Sequence, residues 1–229
     1  GTYKLAFDEE PGVEAAYFMN QMIWQYKMTQ KDIMASLDDI NNDIKSGKSC
    51  FSFSSLNSLR QSDLDEFGLN ISDYIDMPLP AKDANCPRVA LSGGEVITFN
   101  PKSSPEQLKA AVEVAKYLYF SDDMMQLECD NLKAKGEINV NIPGRVDWYE
   151  KRLESCNGIT KEQIDALQTM RKCAKAEPSC EHWPDVKSAM ASSLQKIYIT
   201  EGITKDEIRK ILSDLTEELY SSYPETFKK

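Results

Sequence analysis

The chain has 229 residues, of which 41% are hydrophobic, and its 27 basic against 37 acidic side chains leave a formal net charge of −10. That is enough apolar material for one large core or two modest ones, so disorder over most of the length is excluded. The acidic balance, without a dense Lys/Arg cluster, argues against nucleic acid as a partner.

No apolar run approaches the ~20 residues of a membrane span, and the N-terminus lacks the basic segment and apolar stretch of a signal peptide. The sequence opens on Gly1 rather than Met, so processing or truncation upstream is expected, and any export signal would have gone with it.

In chain order, Val13, Ala16, Tyr17, Ile23 and Trp24 recur at helical spacing after Glu9-Glu10-Pro11-Gly12, which predicts an amphipathic helix over 13–26 with Trp24 on its apolar face. Ser36 suits the cap of a second helix carrying Leu37, Ile40 and Ile44, with Gly47 as its left-handed stop. Cys50-Phe51-Ser52-Phe53 reads as a short strand ending in the polar turn Ser54-Ser55. A helix over 57–67 closes at Gly68, and Ile75, Met77 and Leu79 alternate into Pro80 as a brief or edge strand.

Two strand-like runs, Val89-Ala90-Leu91 and Val96-Ile97-Thr98-Phe99, flank Ser92-Gly93-Gly94-Glu95. The paired glycines there mark either a tight reversal or a close backbone approach. Ser104, Pro105 and Gln107 then form a capping box ahead of Leu108, Ala111, Val112, Ala115 and Leu118, which predicts the best-marked helix of the chain. Beyond Ser121 the pattern predicts helices over 122–135, 147–155, 161–175, 184–200 and 205–220. Two of them start alike, at Gly158-Ile159-Thr160 and Gly202-Ile203-Thr204, each with a Thr cap, Gln163 or Glu207 three residues on, and an Ile pair placed as a hydrophobic staple.

Chemistry-bearing patterns are sparse. The single histidine, His182, excludes multi-His zinc sites, and the six cysteines (Cys50, Cys86, Cys129, Cys156, Cys173, Cys180) are spread without paired metal spacings. Cys173 and Cys180 alone are close enough in sequence for a local bridge, with buried free thiols as the alternative. Neither a phosphate-binding nor a dinucleotide-binding glycine pattern occurs. The acidic pairs Asp38-Asp39 and Asp122-Asp123 fall at predicted helix starts, where carboxylates complement the helix dipole, rather than forming a persuasive catalytic dyad. Asn70-Ile71-Ser72 matches a glycosylation sequon. Trp148-Tyr149 and Trp183 sit at loop-to-helix junctions, where cleft and core readings both stay open. No enzyme, cofactor or metal is expected.

Four segments carry a family resemblance. Ile44-Lys45-Ser46-Gly47-Lys48-Ser49-Cys50-Phe51-Ser52-Phe53 looks like a helix, Gly-Lys and strand leading into a ligand loop, and Met77-Pro78-Leu79-Pro80 like a strand ending in Leu-Pro. Ser92-Gly93-Gly94-Glu95-Val96-Ile97 is followed by Asn100-Pro101-Lys102-Ser103-Ser104-Pro105-Glu106 and a helix ending Tyr117-Leu118; Glu177-Pro178 through Trp183-Val186 leads to Gly202-Ile203-Thr204 and a last helix. In this order they resemble the C-terminal half to two-thirds of family 1 extracellular solute-binding proteins, the maltose-binding-protein-like receptors of ABC importers.

The resemblance implies a helix-rich α/β fold of the periplasmic-binding-protein, two-lobed, type II-like kind with an incomplete first lobe. Residues 1–76 would belong to the second lobe, 77–121 to the first, and 122–229 to the helical C-terminal part of the second. It implies binding of a small solute, a sugar or oligosaccharide, delivery to an ABC transporter permease, an extracellular lipoprotein or periplasmic location, and a lipid anchor on the preceding N-terminal segment. The ligand-binding residues it suggests are Ser54, Ser55, Asn57, Gly93, Gly94, Glu95, Arg145 and Trp183. Where many sugar-binding members carry Trp after the Gly-Lys strand, this chain has Leu56, Asn57 and Leu59. The alternative is a helical protein-interaction module built from the capped helices after Ser121, without a small-molecule ligand.

Overall fold

A computed structural model describes residues 2–33, 35–53, 61–70, 73–74, 77–94 and 96–228. The chain is helix-rich and folds as two compact units, residues 1–36 with 178–229, and residues 37–177. These boundaries differ from the segments 1–76, 77–121 and 122–229 expected from the resemblance.

The first unit is built from α1 (Glu10–Trp24), α8 (Trp183–Ile199) and α9 (Lys205–Ser222), with residues 37–177 of the second unit lying between α1 and α8 in the chain. α1 starts three residues before the predicted position, because Pro11 fits its first turn, where no N–H is needed, rather than a preceding turn. Gly12 is required there for space: a Cβ would stand 2.2 Å from the Phe7 carbonyl oxygen. Val13 and Ala16 meet Val186, Ile197, Ile203, Ile208, Leu212, Leu215 and Leu219 in one core, which Leu5 and Phe227 close from the two chain ends. Tyr3 and Phe227 form a parallel β-bridge across those ends. The capping box at Thr204 forms as the sequence predicts, and both staple residues, Ile203 and Ile208, are buried.

Contacts from Asn20 and Trp24 join α1 to the end of α8. Asn20, 3% exposed, donates from Nδ2 to the carbonyls of Ile197 and Thr200, each at 2.9 Å. Trp24 is half-buried, and its indole N–H reaches the Tyr198 carbonyl at 2.8 Å.

The second unit holds α2 (Leu37–Lys45), α3 (Gln61–Phe67), α4 (Pro105–Phe120), α5 (Asp122–Lys135), α6 (Tyr149–Leu153) and α7 (Lys161–Cys173). Its core gathers Leu64, Leu132, Ile138, Val140, Tyr149, Leu153, Cys156, Ile164 and Leu167, with the staple residue Ile159 packed against it. The Thr160 capping box forms, and Gly136 ends α5 with a left-handed φ of 66°.

Strand content is lower than predicted among the described residues. β1 (Ala90–Ser92) pairs in parallel with β2 (Ala174–Ala176), which ends α7 two residues before the predicted position. The runs 50–53 and 96–99 are irregular, and Phe51, Phe53, Val96, Ile97 and Phe99 are exposed. Residues 77–80 are irregular as well, while Ile75 lies outside the described residues. A strand needs a neighbouring strand for its N–H and C=O groups, and β1 finds its neighbour in residues 174–176 instead of in a hairpin with 96–99.

α4 forms as predicted, with its capping box and Pro at the first turn, yet none of its residues is buried. Leu108, Val114, Tyr117, Leu118, Tyr119 and Phe120 are all exposed. None of the apolar positions that specify this helix is buried in a core.

Candidate functional site

A cluster of polar, charged and aromatic side chains lies outside the two cores, where the segment 143–148 meets the α4–α5 junction. The sequence builds it from inside outwards. α5 is anchored by Met125, Cys129 and Leu132, and α6 by Tyr149, Arg152 and Leu153. Arg152, 7% exposed, pairs with Glu128 of α5 and donates to the Asn141 carbonyl at 2.7 Å. The Tyr149 hydroxyl donates to the Val140 carbonyl at 3.0 Å. A buried charge held by a partner and a backbone carbonyl is compensated for its lost hydration, so residues 139–141 are fixed between α5 and α6, and the following residues enter Pro143-Gly144-Arg145 from a rigid base.

Gly144 then passes close to α4: a Cβ there would be 2.9 Å from the Phe120 ring and 3.0 Å from the Tyr119 carbonyl oxygen. Arg145 spreads its guanidinium over four acceptor oxygens of three residues. Nη1 donates to the Asp122 carboxylate and, at 3.3 Å, to the Phe120 carbonyl; Nε and Nη2 donate to the two carboxylate oxygens of Asp147. The hydrogen bond from Arg145 holds the Asp147 carboxyl below the usual carboxylate range, and the Asp147 contact in turn raises the guanidinium further above neutrality. The Trp148 indole N–H also donates to Asp122, at 3.1 Å. The Lys151 ammonium lies 4.1 Å above the Trp148 ring and is also bonded to Gln126.

The expected site residues are distributed as follows. Arg145 belongs to this cluster, with its fork already engaged by protein acceptors. Gly93 and Gly94 are exposed, and a Cβ added at either would have nothing within 4 Å. Neither has a left-handed φ. Trp183 opens α8 and packs, partly buried, against the core of the other unit. Ser54, Ser55, Asn57 and Glu95 lie outside the described residues.

Asp122 and Asp147 were not expected at the cluster, and Trp148 was open between a cleft and a core reading. Asp122 does sit in the first turn of α5, as the dipole argument requires. Its second role depends on a residue 23 positions later, which no local pattern announces. The signal available for Trp148 was its place after Pro143-Gly144 at the start of a helix.

His182 is stacked on Tyr223 with ring centroids 4.0 Å apart, and its two ring nitrogens face Asp185 at 3.4 Å and Glu225 at 3.3 Å. All six cysteines are free thiols. Among the described residues no group of three or more His, Cys, Asp or Glu side chains is placed to hold a metal ion, and no helix is long and apolar enough to cross a membrane. No protein-family model matches the chain, and no curated protein matches it in sequence.

Proposed function

We propose that this chain is part of an extracellular solute-binding receptor of an ABC importer, similar to maltose-binding protein, that holds a sugar or oligosaccharide and passes it to a membrane permease without breaking a bond. The observation that carries the reading is the cluster at 143–148. An indole, two carboxylates and a guanidinium stand within hydrogen-bonding distance of one another on the surface of one unit. Carboxylates accept from sugar hydroxyls, a planar guanidinium donates to them, and an indole face stacks on the C–H face of a pyranose.

In this reading, a sugar ring stacked on the Trp148 face that Lys151 now covers displaces the ammonium, which keeps its bond to Gln126. Hydroxyls then share Asp122 and Asp147 with Arg145. The exposed apolar side chains of residues 89–120, including the whole uncovered face of α4, fit the assignment of 77–121 to a first lobe whose other elements would cover them. The remaining lobe assignments, 1–76 and 122–229 to the second lobe, belong to the same proposal, as do a periplasmic or cell-surface lipoprotein location and a lipid anchor on a preceding segment.

A helical protein-interaction module is the second reading, and the uncovered α4 face is the observation in its favour. A module confined to 122–229 meets one difficulty, because Leu5, Val13 and Ala16 supply part of the core that α8 and α9 share.

Calorimetric titration with monosaccharides, maltodextrins and other oligosaccharides, on the chain and on the full polypeptide its gene encodes, tests the proposal. Saturable binding that Trp148→Ala abolishes supports it. Binding of sugars that Trp148→Ala and Arg145→Met leave unaltered refutes the site, and absence of binding in both polypeptides refutes the function.

A further inference from the structure

α4 and α5 are separated by one residue. Ser121 is at once the C-cap of α4 and the N-cap of α5, in an extended conformation (φ −78°, ψ 149°). Its hydroxyl donates to the Tyr117 carbonyl at 2.6 Å behind it and accepts from the Met124 N–H at 3.2 Å ahead of it. The two helices differ in how they are held. α5 buries Met125, Cys129 and Leu132, whereas α4 buries no residue. A helix gains most of its stability and its fixed placement from packing an apolar face, so α4 depends on what grips it at its end.

That grip is visible at residues 144 and 145. Gly144 lies against the Phe120 ring with no room for a Cβ, and a single guanidinium nitrogen, Nη1 of Arg145, bonds both the residue before the joint, through the Phe120 carbonyl, and the residue after it, through the Asp122 carboxylate. Asp147 holds the other edge of the guanidinium and so sets its plane. Arg145 itself stands on the rigid segment that Arg152 and Tyr149 fix between α5 and α6.

We propose that Ser121 is a hinge and Arg145 its latch, a positioning residue that sets the direction of α4 by tying the two sides of the joint together. With the latch closed α4 keeps one direction; with it open α4 swings about Ser121 while the α5–α6–α7 core stays in place. A ligand group that drew Arg145 or Asp122 away would open it, but the latch requires no ligand and stands whether or not the chain binds a solute.

Amide hydrogen exchange of the chain, read by mass spectrometry in peptides spanning 117–125 and compared with peptides from α6 and α7, tests the proposal. Arg145→Met, which keeps length and removes every donor, is expected to speed exchange in the joint peptides about five-fold, the order for losing a surface ion pair with its hydrogen bonds. Asp122→Ala should give the same pattern from the other side. The double variant should fall short of the sum of the two, because both single changes remove the same Nη1–Asp122 bond. Wild-type rates at the joint in both single variants overturn the proposal. So does acceleration that extends equally through α6 and α7, or an additive double variant.

Discussion

Asn20→Ala is the substitution whose cost follows most directly from the packing of the first unit. The Asn20 amide is 3% exposed and supplies donors to the last carbonyls of α8, at Ile197 and Thr200, each at 2.9 Å. The end of a helix leaves carbonyls without intrahelical partners, and here a side chain of α1 meets two of them. Ile197 is fully buried and its carbonyl keeps only a long bond of 3.4 Å from the Thr200 N–H, whereas Thr200 is exposed and water can replace the amide there. Each net hydrogen bond contributes about 1 kcal/mol, and a buried acceptor left poorly satisfied adds to the loss. Asn20→Ala should therefore cost roughly 2 kcal/mol, lowering the urea midpoint by about 1 M if the slope is near 2 kcal/mol/M. Asn20→Asp should cost more, because a carboxylate has no donor and faces two carbonyl oxygens. Urea unfolding followed by tryptophan fluorescence reads this unit through Trp24 and Trp183. An Asn20→Ala midpoint equal to wild type, or an Asn20→Asp variant as stable as Asn20→Ala, would refute the reasoning.

The two threonine capping boxes should behave alike at neutral pH, with Thr160→Ala and Thr204→Ala each costing about 1 kcal/mol in denaturant titrations; a silent substitution at either would show that helix to be held by packing alone. They should part on acidification. Glu207 accepts from the Thr204 N–H and hydroxyl, which hold its carboxyl below the usual range, so its stabilisation is complete above the unfolded carboxylate value of about 4.3 and is lost as pH falls through the lower folded value. The Thr160 box uses the neutral Gln163 and should not titrate, and Glu207→Gln should remove this pH dependence; circular dichroism melts across pH 2 to 7, as the working range ~2–7, compare the two. Thiol labelling at mildly alkaline pH should modify Cys50 first and Cys129 and Cys156 last, since Cys50 is exposed, the other two are buried, and burial pushes the Cys156 thiol up so that less thiolate is present. Fast labelling of Cys156 in the native chain, read by peptide mass spectrometry, would contradict that packing.

Helices were legible in the sequence where a local signal set their ends. Ser104 with Gln107, Thr160 with Gln163 and Thr204 with Glu207 all form complete capping boxes, and Gly47, the expected left-handed stop after α2, has a φ of 71°. Each is decided within four or five residues, so tertiary structure had little to override. Strands were not legible in the same way. Val89-Ala90-Leu91 and Val96-Ile97-Thr98-Phe99 have equal claims to a hairpin, yet β1 pairs with Ala174–Ala176, a choice made over more than eighty positions of chain. The candidate site shows the same limit. Arg145 was expected as a donor, but its partners Phe120 and Asp122 come from another part of the sequence, and Trp183, expected beside it, packs into the core of the other unit. α4 shows the converse: periodicity specifies the helix and its apolar positions correctly, and says nothing about whether a partner covers them.

The central claim is that the indole, carboxylates and guanidinium around residues 143–148 hold a hydroxyl-rich solute. Its most direct test is tryptophan fluorescence of the chain, and of the full polypeptide its gene encodes, titrated with sugars and oligosaccharides and repeated with Trp148→Phe. The account predicts a saturable change with at least one sugar that disappears in the variant. Silence across sugars in both polypeptides, or a sugar response that survives Trp148→Phe intact, would contradict it.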